Sequence, residues 1–181
     1  SDFDGQNADS SGLVTGTTLA LAKYVEVIYD PVSGNRYDGA GAVIADPKSI
    51  PGAVMMYVIG LVNESAALSA TVVTVADDIP DGVPELVDEG DQRGGTPPAI
   101  DLPVSVTFNV GTGPQVFNVG NATNINEVYS EGCADPGTSA VYNGVGVVLG
   151  GDDTANPEFS RTIGTCAATE AAFVVYFVTL N

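Results

Sequence analysis

Pairs of neighbouring acidic residues are the part of this sequence whose types and spacing could do chemistry. Two carboxyl groups close together can serve as the acid and base of a glycosidase, or they can bind a hard cation such as Ca²⁺ through their oxygens. The pairs are Asp77 with Asp78, Asp88 with Asp91, and Asp152 with Asp153. All three lie in stretches rich in glycine and proline, where turns also favour aspartate. Solvated loops therefore compete with both chemical roles.

Calcium binding suits two of these pairs better than catalysis does. Asp88 and Asp91, and likewise Asp152 and Asp153, offer oxygen ligands on a flexible backbone. The sequence has no tryptophan, which sugar-binding clefts often use to stack a ring. It also has no histidine, which excludes a Ser-His-Asp triad and a histidine-ligated zinc or haem site. We expect a protein that is not an enzyme and needs no cofactor, with Ca²⁺ at these four aspartates as the alternative left open.

Cysteines and glycosylation sequons favour an extracellular setting. Cys133 and Cys166 are the two cysteines, without a C-x-x-C motif, and we expect them to form a disulfide in an oxidising compartment. Two buried thiols are the alternative. Asn63 and Asn121 begin Asn-x-Ser/Thr triplets, and in a source that glycosylates we expect both in accessible loops. The sequence starts at Ser1 rather than methionine, so we expect a secreted protein whose leader peptide has been removed.

The charge of the chain restricts its partners. The 181 residues include 23 acidic and 5 basic side chains, which gives a formal net charge of −18. Such a chain repels phosphate, so nucleic acids and anionic membrane surfaces are excluded as partners. No apolar run reaches the roughly 20 residues of a membrane helix, and we expect no membrane span. The apolar fraction of 44% is too high for a disordered chain.

Strand-like patterns and turn residues fill the chain without helical periodicity. The longest strands are predicted at 53–63, 69–76 and 171–180, and the first two are close enough in sequence to form a hairpin. The strand at 53–63 is apolar on both faces, which predicts either a cover on each face or a face that awaits a cover. Another strand starts at Leu19, and its shared apolar face contains Leu19, Leu21, Val25, Val27 and Tyr29. Shorter strands are predicted at 42–45, 104–110, 115–119, 127–130, 141 and 145–149. The pattern predicts an all-β protein with one β-sandwich domain at 19–181.

The stretch from residue 50 to residue 80 resembles a known repeat. In order it contains IPGAV at 50–54, YVI at 57–59, Asn63, VTV at 73–75 and DDIP at 77–80. This series resembles the immunoglobulin-like repeats of prokaryotic surface proteins that are catalogued as a domain of unknown function. The similarity covers about residues 19–80 and the last ten residues, whereas 81–170 departs from it. The resemblance implies an extracellular Ig-like, Greek-key sandwich of wall proteins, adhesins or fibre subunits, with no catalytic residues.

Apolar segments near both ends of the sequence predict self-assembly. Residues 1–12 are polar, whereas 13–22 are β-prone and uncharged, so they can be buried without desolvating an ion. We expect 1–18 to be an extended arm, and 13–22 to add a strand to a neighbouring copy. The residues predicted at this subunit interface are Leu13, Val14, Thr15, Thr17, Leu19 and Leu21. The rival donor, 171–180, has bulky aromatic residues that suit a host core instead.

The function expected from these features is structural. A contact in which every copy gives a strand to the next does not close on itself, so it predicts a pilus-like filament of identical subunits at the cell surface. The alternative is a stand-alone secreted adhesin or a calcium-dependent binding module. A secreted enzyme is a third interpretation.

Overall fold

The computed structural model describes residues 17–78, 84–86, 100–122, 128–131, 140–142 and 158–180. This part of the chain consists of antiparallel strands and one short 3₁₀ turn at Val119–Asn121, and it contains no α-helix, which confirms the all-β prediction. The strands are β1 (Leu19–Asp30), β2 (Gly34–Asn35), β3 (Val54–Asn63), β4 (Ala70–Asp78), β5 (Pro84–Leu86), β6 (Val106–Val110), β7 (Gly113–Phe117), β8 (Val128–Glu131), β9 (Ala140–Tyr142), β10 (Glu158–Cys166) and β11 (Ala171–Leu180).

Strand β3 lies at the centre of the main sheet. It pairs with β1 on one side and with β11 on the other, in the order β2-β1-β3-β11-β8-β9, and β5 pairs with the end of β11. The sequence of β3, VMMYVIGLVN, is apolar at nearly every position, and none of its side chains is exposed. A strand with this composition is stable in water only when both of its faces are covered. Of the two predicted alternatives, β3 therefore has a cover on each face.

Two small antiparallel sheets provide the two covers. Because side chains alternate along a strand, the odd-numbered residues of β3 face one way and the even-numbered residues face the other. Tyr57, Ile59 and Leu61 pack against Val73 and Val75 of the β4–β10 pair. On the opposite face, the even-numbered residues of β3 pack against the β6–β7 hairpin, where Val106, Val110 and Phe117 are buried. The result is three layers with the main sheet in the middle, while the Ig-like, Greek-key topology stays a prediction.

The predicted hairpin between β3 and β4 is wrong. Strand β4 pairs with β10 in a separate sheet, and its side chains lie over the face of β3 instead of beside its edge. The chain from β10 to β11 makes the same crossing between layers. A hairpin would have left one face of β3 in water, whereas stacking β4 on that face buries the apolar side chains of both strands.

The side chain of Asn63 bonds to both connections between the main sheet and the β4–β10 layer, the one from β3 to β4 and the one from β10 to β11. Its Nδ2 atom donates to the carbonyl oxygens of Leu68 at 2.8 Å, Cys166 at 3.0 Å and Ala167 at 3.0 Å, and its Oδ1 accepts from the N–H of Ser65 at 3.1 Å. The residue is 0% exposed. The nitrogen that would carry a glycan is fully used inside the fold, so the prediction that Asn63 is an accessible glycosylation site is wrong.

Three smaller features also differ from the sequence patterns. Strand β10 is not among the predicted strands, and residues 42–45 form only a single bridge between Tyr37 and Val43. In β1 the pairing with β3 shifts by one residue between Val27 and Tyr29, so Ile28 is an additional residue in a β-bulge. The bulge turns Tyr29 onto the β6–β7 face, so Tyr29 does not share a face with Leu21 and Val25.

Candidate functional site

The open part of the main sheet lies along β1. Residues Leu19, Leu21, Lys23 and Val25, here called the β1 row, oppose Asn63, Leu61, Ile59 and Tyr57 and therefore point to the same face as those residues. The β4–β10 pair covers that face over β3 and β11, but the cluster that it forms includes no residue of β1. Leu19 is 41% exposed, Leu21 is 60% exposed and Val25 is 42% exposed. The β1 row is thus an apolar strip beside a buried core.

The opposite face of β1 is packed. Ala20, Ala22 and Tyr24 lie against the β6–β7 cluster, and the Tyr24 ring stacks on Phe108 with the ring centroids 5.5 Å apart. Strand β1 is therefore firmly placed by its pairing with β3 and by one of its faces. Among the described residues, the β1 row is exposed because the β4–β10 cover does not extend over it, and not because the strand is loosely attached.

Within the part of the chain that the structure describes, the backbone along the outer edge of β1 has no strand partner from Leu19 to Val27. The carbonyl oxygen of Thr18 accepts a hydrogen bond from the N–H of Glu64 at 2.8 Å and so points toward β3. Backbone groups alternate in direction along a strand, so the N–H and C=O groups of the β1 row point away from β3. On that side, the strand partner of β1 among the described residues is β2, which pairs with Tyr29 and Asp30 alone. Residues 19–27 therefore present an edge that can accept another strand.

Lys23 gives the β1 row one positive charge. Its Nζ atom lies 4.7 Å from the centroid of the Tyr57 ring and 5.9 Å from that of Tyr176. These two rings are stacked, with centroids 5.0 Å apart. An ammonium group over aromatic faces is held by a cation–π attraction. The charge of Lys23 therefore lies at the border between the exposed row and the covered core.

A polar cluster on the other face of β1 fixes the loop that follows β2. The Glu26 carboxylate accepts from the Tyr37 hydroxyl at 2.6 Å and pairs with Arg36 Nε at 2.7 Å. Burial, together with the hydrogen bond to Glu26, raises the pKa of Tyr37 to about 12. Burial and the nearby Glu26 also raise the pKa of Tyr24. The cluster anchors Arg36 and Tyr37 to β1 and so stabilises the end of β1 that pairs with β2.

Asp30 ends β1 with a buried carboxylate. Its oxygens accept hydrogen bonds from the backbone N–H groups of Val32 and Ser33 at 2.6 Å and of Lys48 at 2.7 Å. The hydrogen bonds from Ser33, Lys48 and Val32 hold the pKa of Asp30 at about 2. The residue thereby fastens the turn after β1 and the chain near Lys48 to the same point.

The predicted donor strand is partly wrong. Residues 19–22 begin β1 and pair with β3 of the same chain, where Leu19 opposes Asn63 and Leu21 opposes Leu61. Their backbones cannot be given to another copy without breaking the main sheet, because β1 supplies one side of β3. Thr17 is exposed and precedes β1, and Leu13, Val14 and Thr15 lie outside the described residues. An interface role for the side chains of Leu19 and Leu21 stays a prediction.

The remaining predicted sites lie mostly outside the described residues. Asp88, Asp91, Asp152 and Asp153 are among these, so calcium binding there stays a prediction. Within the described residues, no group of three acidic, cysteine or histidine side chains could hold a metal ion. Cys166 is fully buried, whereas Cys133 is not described, so their disulfide stays a prediction. Asn121 ends the 3₁₀ turn, and its glycosylation also stays a prediction.

The sequence pattern predicts the shared apolar face of the β1 row, but it assigns only Leu19 and Leu21 of this row to a subunit interface. Leu19, Leu21 and Val25 do share one face of β1, as their period-two spacing predicts. Such spacing shows which residues point together, but it does not show whether another layer covers them. Val25 and Lys23 were consequently missed as surface residues of a candidate interface.

Comparisons with protein-family models, with curated proteins and with solved structures found no match. The described residues contain no helix of the length and apolarity needed to cross a membrane.

Proposed function

We propose that this chain is a structural subunit of an extracellular filament, and that copies join by adding a strand to the outer edge of β1. The observation that carries the proposal is the combination of an open strand edge with the exposed β1 row beside it. Adding a strand is a recurrent mode of protein recognition, in which main-chain hydrogen bonds give affinity and alternate side chains give specificity.

The energetics favour covering this edge. Leu19, Leu21 and Val25 keep 41%, 60% and 42% of their surface exposed, and burial of such side chains contributes on the order of 1 kcal/mol each at about 25 cal/mol per Å². A new strand would also satisfy the outward backbone groups of residues 19–27. An edge of this length, left open, promotes unspecific pairing, so a dedicated partner strand removes a hazard as well.

The form of the assembly follows from the asymmetry of the contact. A copy that accepts a strand at β1 and gives a different segment to the next copy makes a head-to-tail contact, which extends into a filament unless the rotation closes a ring. The net charge of −18 makes copies repel one another. Salt screens this repulsion, so we expect more polymer as the ionic strength rises from about 0.01 M to about 0.15 M.

Further support for an extracellular, non-catalytic role comes from the sequence. The resemblance of residues 50–80 to immunoglobulin-like repeats of surface proteins fits a fibre subunit, and so do the acidic composition and the pair of cysteines. The secreted location and the absence of enzymatic activity are parts of the same proposal.

The test is electron microscopy of the purified chain with a matched pair of variants. Leu21→Asp places a charge in the β1 row, whereas Val116→Asp places one on β7 at a side chain that is 62% exposed, compared with 60% for Leu21. We expect negative-stain images of the wild type and of Val116→Asp to show filaments, and Leu21→Asp to show discrete particles with unchanged circular dichroism. Discrete particles for the wild type at every concentration and ionic strength would contradict the proposal, and filaments from Leu21→Asp would exclude the β1 edge.

A further inference from the structure

The segment that precedes β1 in the sequence contains a charged residue and a leucine at the same spacing as in β1, but in the opposite order. In the β1 row, Leu19 and Lys23 are four residues apart on one face. Before β1, Asp9 and Leu13 are also four residues apart, and in an extended chain they share a face. In an antiparallel pair, each step forward on one strand is a step backward on the other. An alignment that puts Leu13 beside Leu19 therefore puts Asp9 beside Lys23.

We infer that residues 9–13 of a second copy pair antiparallel with residues 19–23 of β1, with Leu13 beside Leu19 and Asp9 beside Lys23. This inference rests on the proposed function and names the strand that is donated. Both pairs are of the kind that stabilises adjacent strands, one apolar and one of opposite charge. The donor thus lies earlier in the chain than the segment 13–22 that the sequence pattern indicated.

The small residues of the donor fit the packed face of β1. In this register Gly12, Ser10 and Ala8 come beside Ala20, Ala22 and Tyr24, respectively. That face is already close to the β6–β7 hairpin, because the loop at Gly111 lies against Ala20 and Phe108 stacks on Tyr24. A donor strand with small side chains on this face can be added without displacing the β6–β7 hairpin. The larger side chain of Leu13 lies on the open face in this register.

Other pairings of the edge fit less well. A parallel donor with Asp9 beside Lys23 would bring Leu13 beside Val27 and leave Leu19 without an apolar partner. Two β1 edges that pair symmetrically about position 23, the middle of residues 19–27, would bring Lys23 beside Lys23 of the second copy, and like charges directly opposite each other are destabilising. The antiparallel alignment of residues 9–13 with residues 19–23 avoids both conflicts.

The described part of the chain begins directly before β1, at the start of its outer edge. Thr18 is held in line with β1, since its N–H donates to Ser65 Oγ at 2.7 Å and its carbonyl oxygen accepts from Glu64 N–H at 2.8 Å. To fold back onto its own β1 in this register, the chain would have to turn within residues 14–17. Val14, Thr15 and Thr17 are β-branched and favour extended structure over a tight turn. We therefore expect an extended connection that carries the donor to a second copy.

The test is disulfide trapping between two singly substituted variants that are mixed before assembly. We expect Leu13→Cys mixed with Leu19→Cys to give a crosslinked dimer on non-reducing gels, and Leu13→Cys mixed with Val25→Cys to give at least about ten-fold less. Wild-type protein and each variant alone serve as controls for the native cysteines. Equal crosslinking at positions 19 and 25 would overturn the register. A chain that contains both Leu13→Cys and Leu19→Cys is the matched control: a crosslink within that chain, with none in the mixture of single variants, would overturn the assignment to a second copy.

Charge reversal provides an independent readout. We expect Lys23→Glu and Asp9→Lys each to raise the concentration needed for polymer formation about two- to five-fold, and the double variant to recover most of that loss. No recovery would overturn the proposed pair. If the wild type polymerises but both tests fail, the proposed filament is retained and the proposed register is wrong. If the wild type forms no polymer, the proposed function itself is wrong.

Discussion

Strands β1 and β11 flank the same central strand, yet their environments differ. Both run antiparallel to β3 and pair with it along most of its length. In β11, every side chain from Ala172 to Val178 is buried, whereas exposed and half-buried side chains alternate along the first part of β1. The difference arises because the β4–β10 pair covers β3 and β11 but ends before β1. Position in the middle layer does not by itself make a strand part of the core.

The two strands also show that side-chain size can mislead about burial. In β1 the packed face has Ala20 and Ala22, whereas the open face has Leu19 and Leu21. In β11 the aromatic residues lie on both faces, and Phe173, Tyr176 and Phe177 are all at most 2% exposed. Over residues 19–22 the larger apolar side chains of β1 lie on its open face, and an exposed apolar strip of this kind is suited to association.

The largest contrast between these strands is expected in the free energy of unfolding. Phe177→Ala removes a buried ring from β11 and leaves a cavity, so we expect a loss of about 3–5 kcal/mol. Leu21→Ala shortens a side chain that is 60% exposed, and we expect the monomer to change by no more than about 0.5 kcal/mol. Urea unfolding of dilute, monomeric protein measures both values. Similar losses for the two variants would show that β1 is buried as deeply as β11.

Substitution of Asn63 is expected to have the next largest effect on the free energy of unfolding, because its side chain joins the β3–β4 and β10–β11 connections. Asn63→Ala removes an amide that bonds to three carbonyl groups, and we expect a loss of about 2–4 kcal/mol. Asn109→Ala, at an exposed position of β6, is the matched control and should change stability by less than about 0.5 kcal/mol. Chemical denaturation of both variants checks this expectation. Equal stability of the two would mean that these connections do not depend on the Asn63 amide.

The smallest effect concerns the acid stability of the end of β1. The pKa of Asp30 is about 2 in the folded chain, below the value near 4 of an unfolded aspartate. The unfolded state therefore takes up this proton first, so the contribution of Asp30 to stability is present above about pH 4 and is lost as the pH falls toward 2. We expect the melting temperature of the wild type to fall more steeply across this range than that of Asp30→Asn. Parallel curves for the two proteins would contradict the role of Asp30.

Much of the main sheet could be predicted from the sequence, because its strands have strong local patterns. Strand β11 has the predicted bounds, and β3 differs from its prediction by one residue at its start. The layer assignment of β4 could not be predicted, because a hairpin and a crossing between layers require similar connections in sequence. Strand β10 has polar residues at 160–162 that weaken its apolar pattern. It is a strand because it pairs with β4, which is a tertiary effect.

The sequence predicts which residues of the candidate site share a face, but it does not predict that this face is exposed. The spacing of Leu19, Leu21 and Val25 identifies a shared face, whereas their exposure depends on where a distant part of the chain places its cover. Asn63 shows the reverse case. Its triplet predicts a surface loop, but the amide is buried, because two crossings of the chain leave carbonyl groups that need a donor.

Hydrogen exchange at single-residue resolution tests the central claim, that the outer edge of β1 is the subunit interface, most directly. The backbone N–H groups of Leu21, Lys23 and Val25 point outward, whereas those of Val174 and Tyr176 point toward β3. We predict that the outward amides exchange quickly in the monomer and at least about 100-fold more slowly in the polymer, while the amides of Val174 and Tyr176 exchange slowly in both. Exchange at Leu21, Lys23 and Val25 that remains equally fast after polymerisation would contradict the claim.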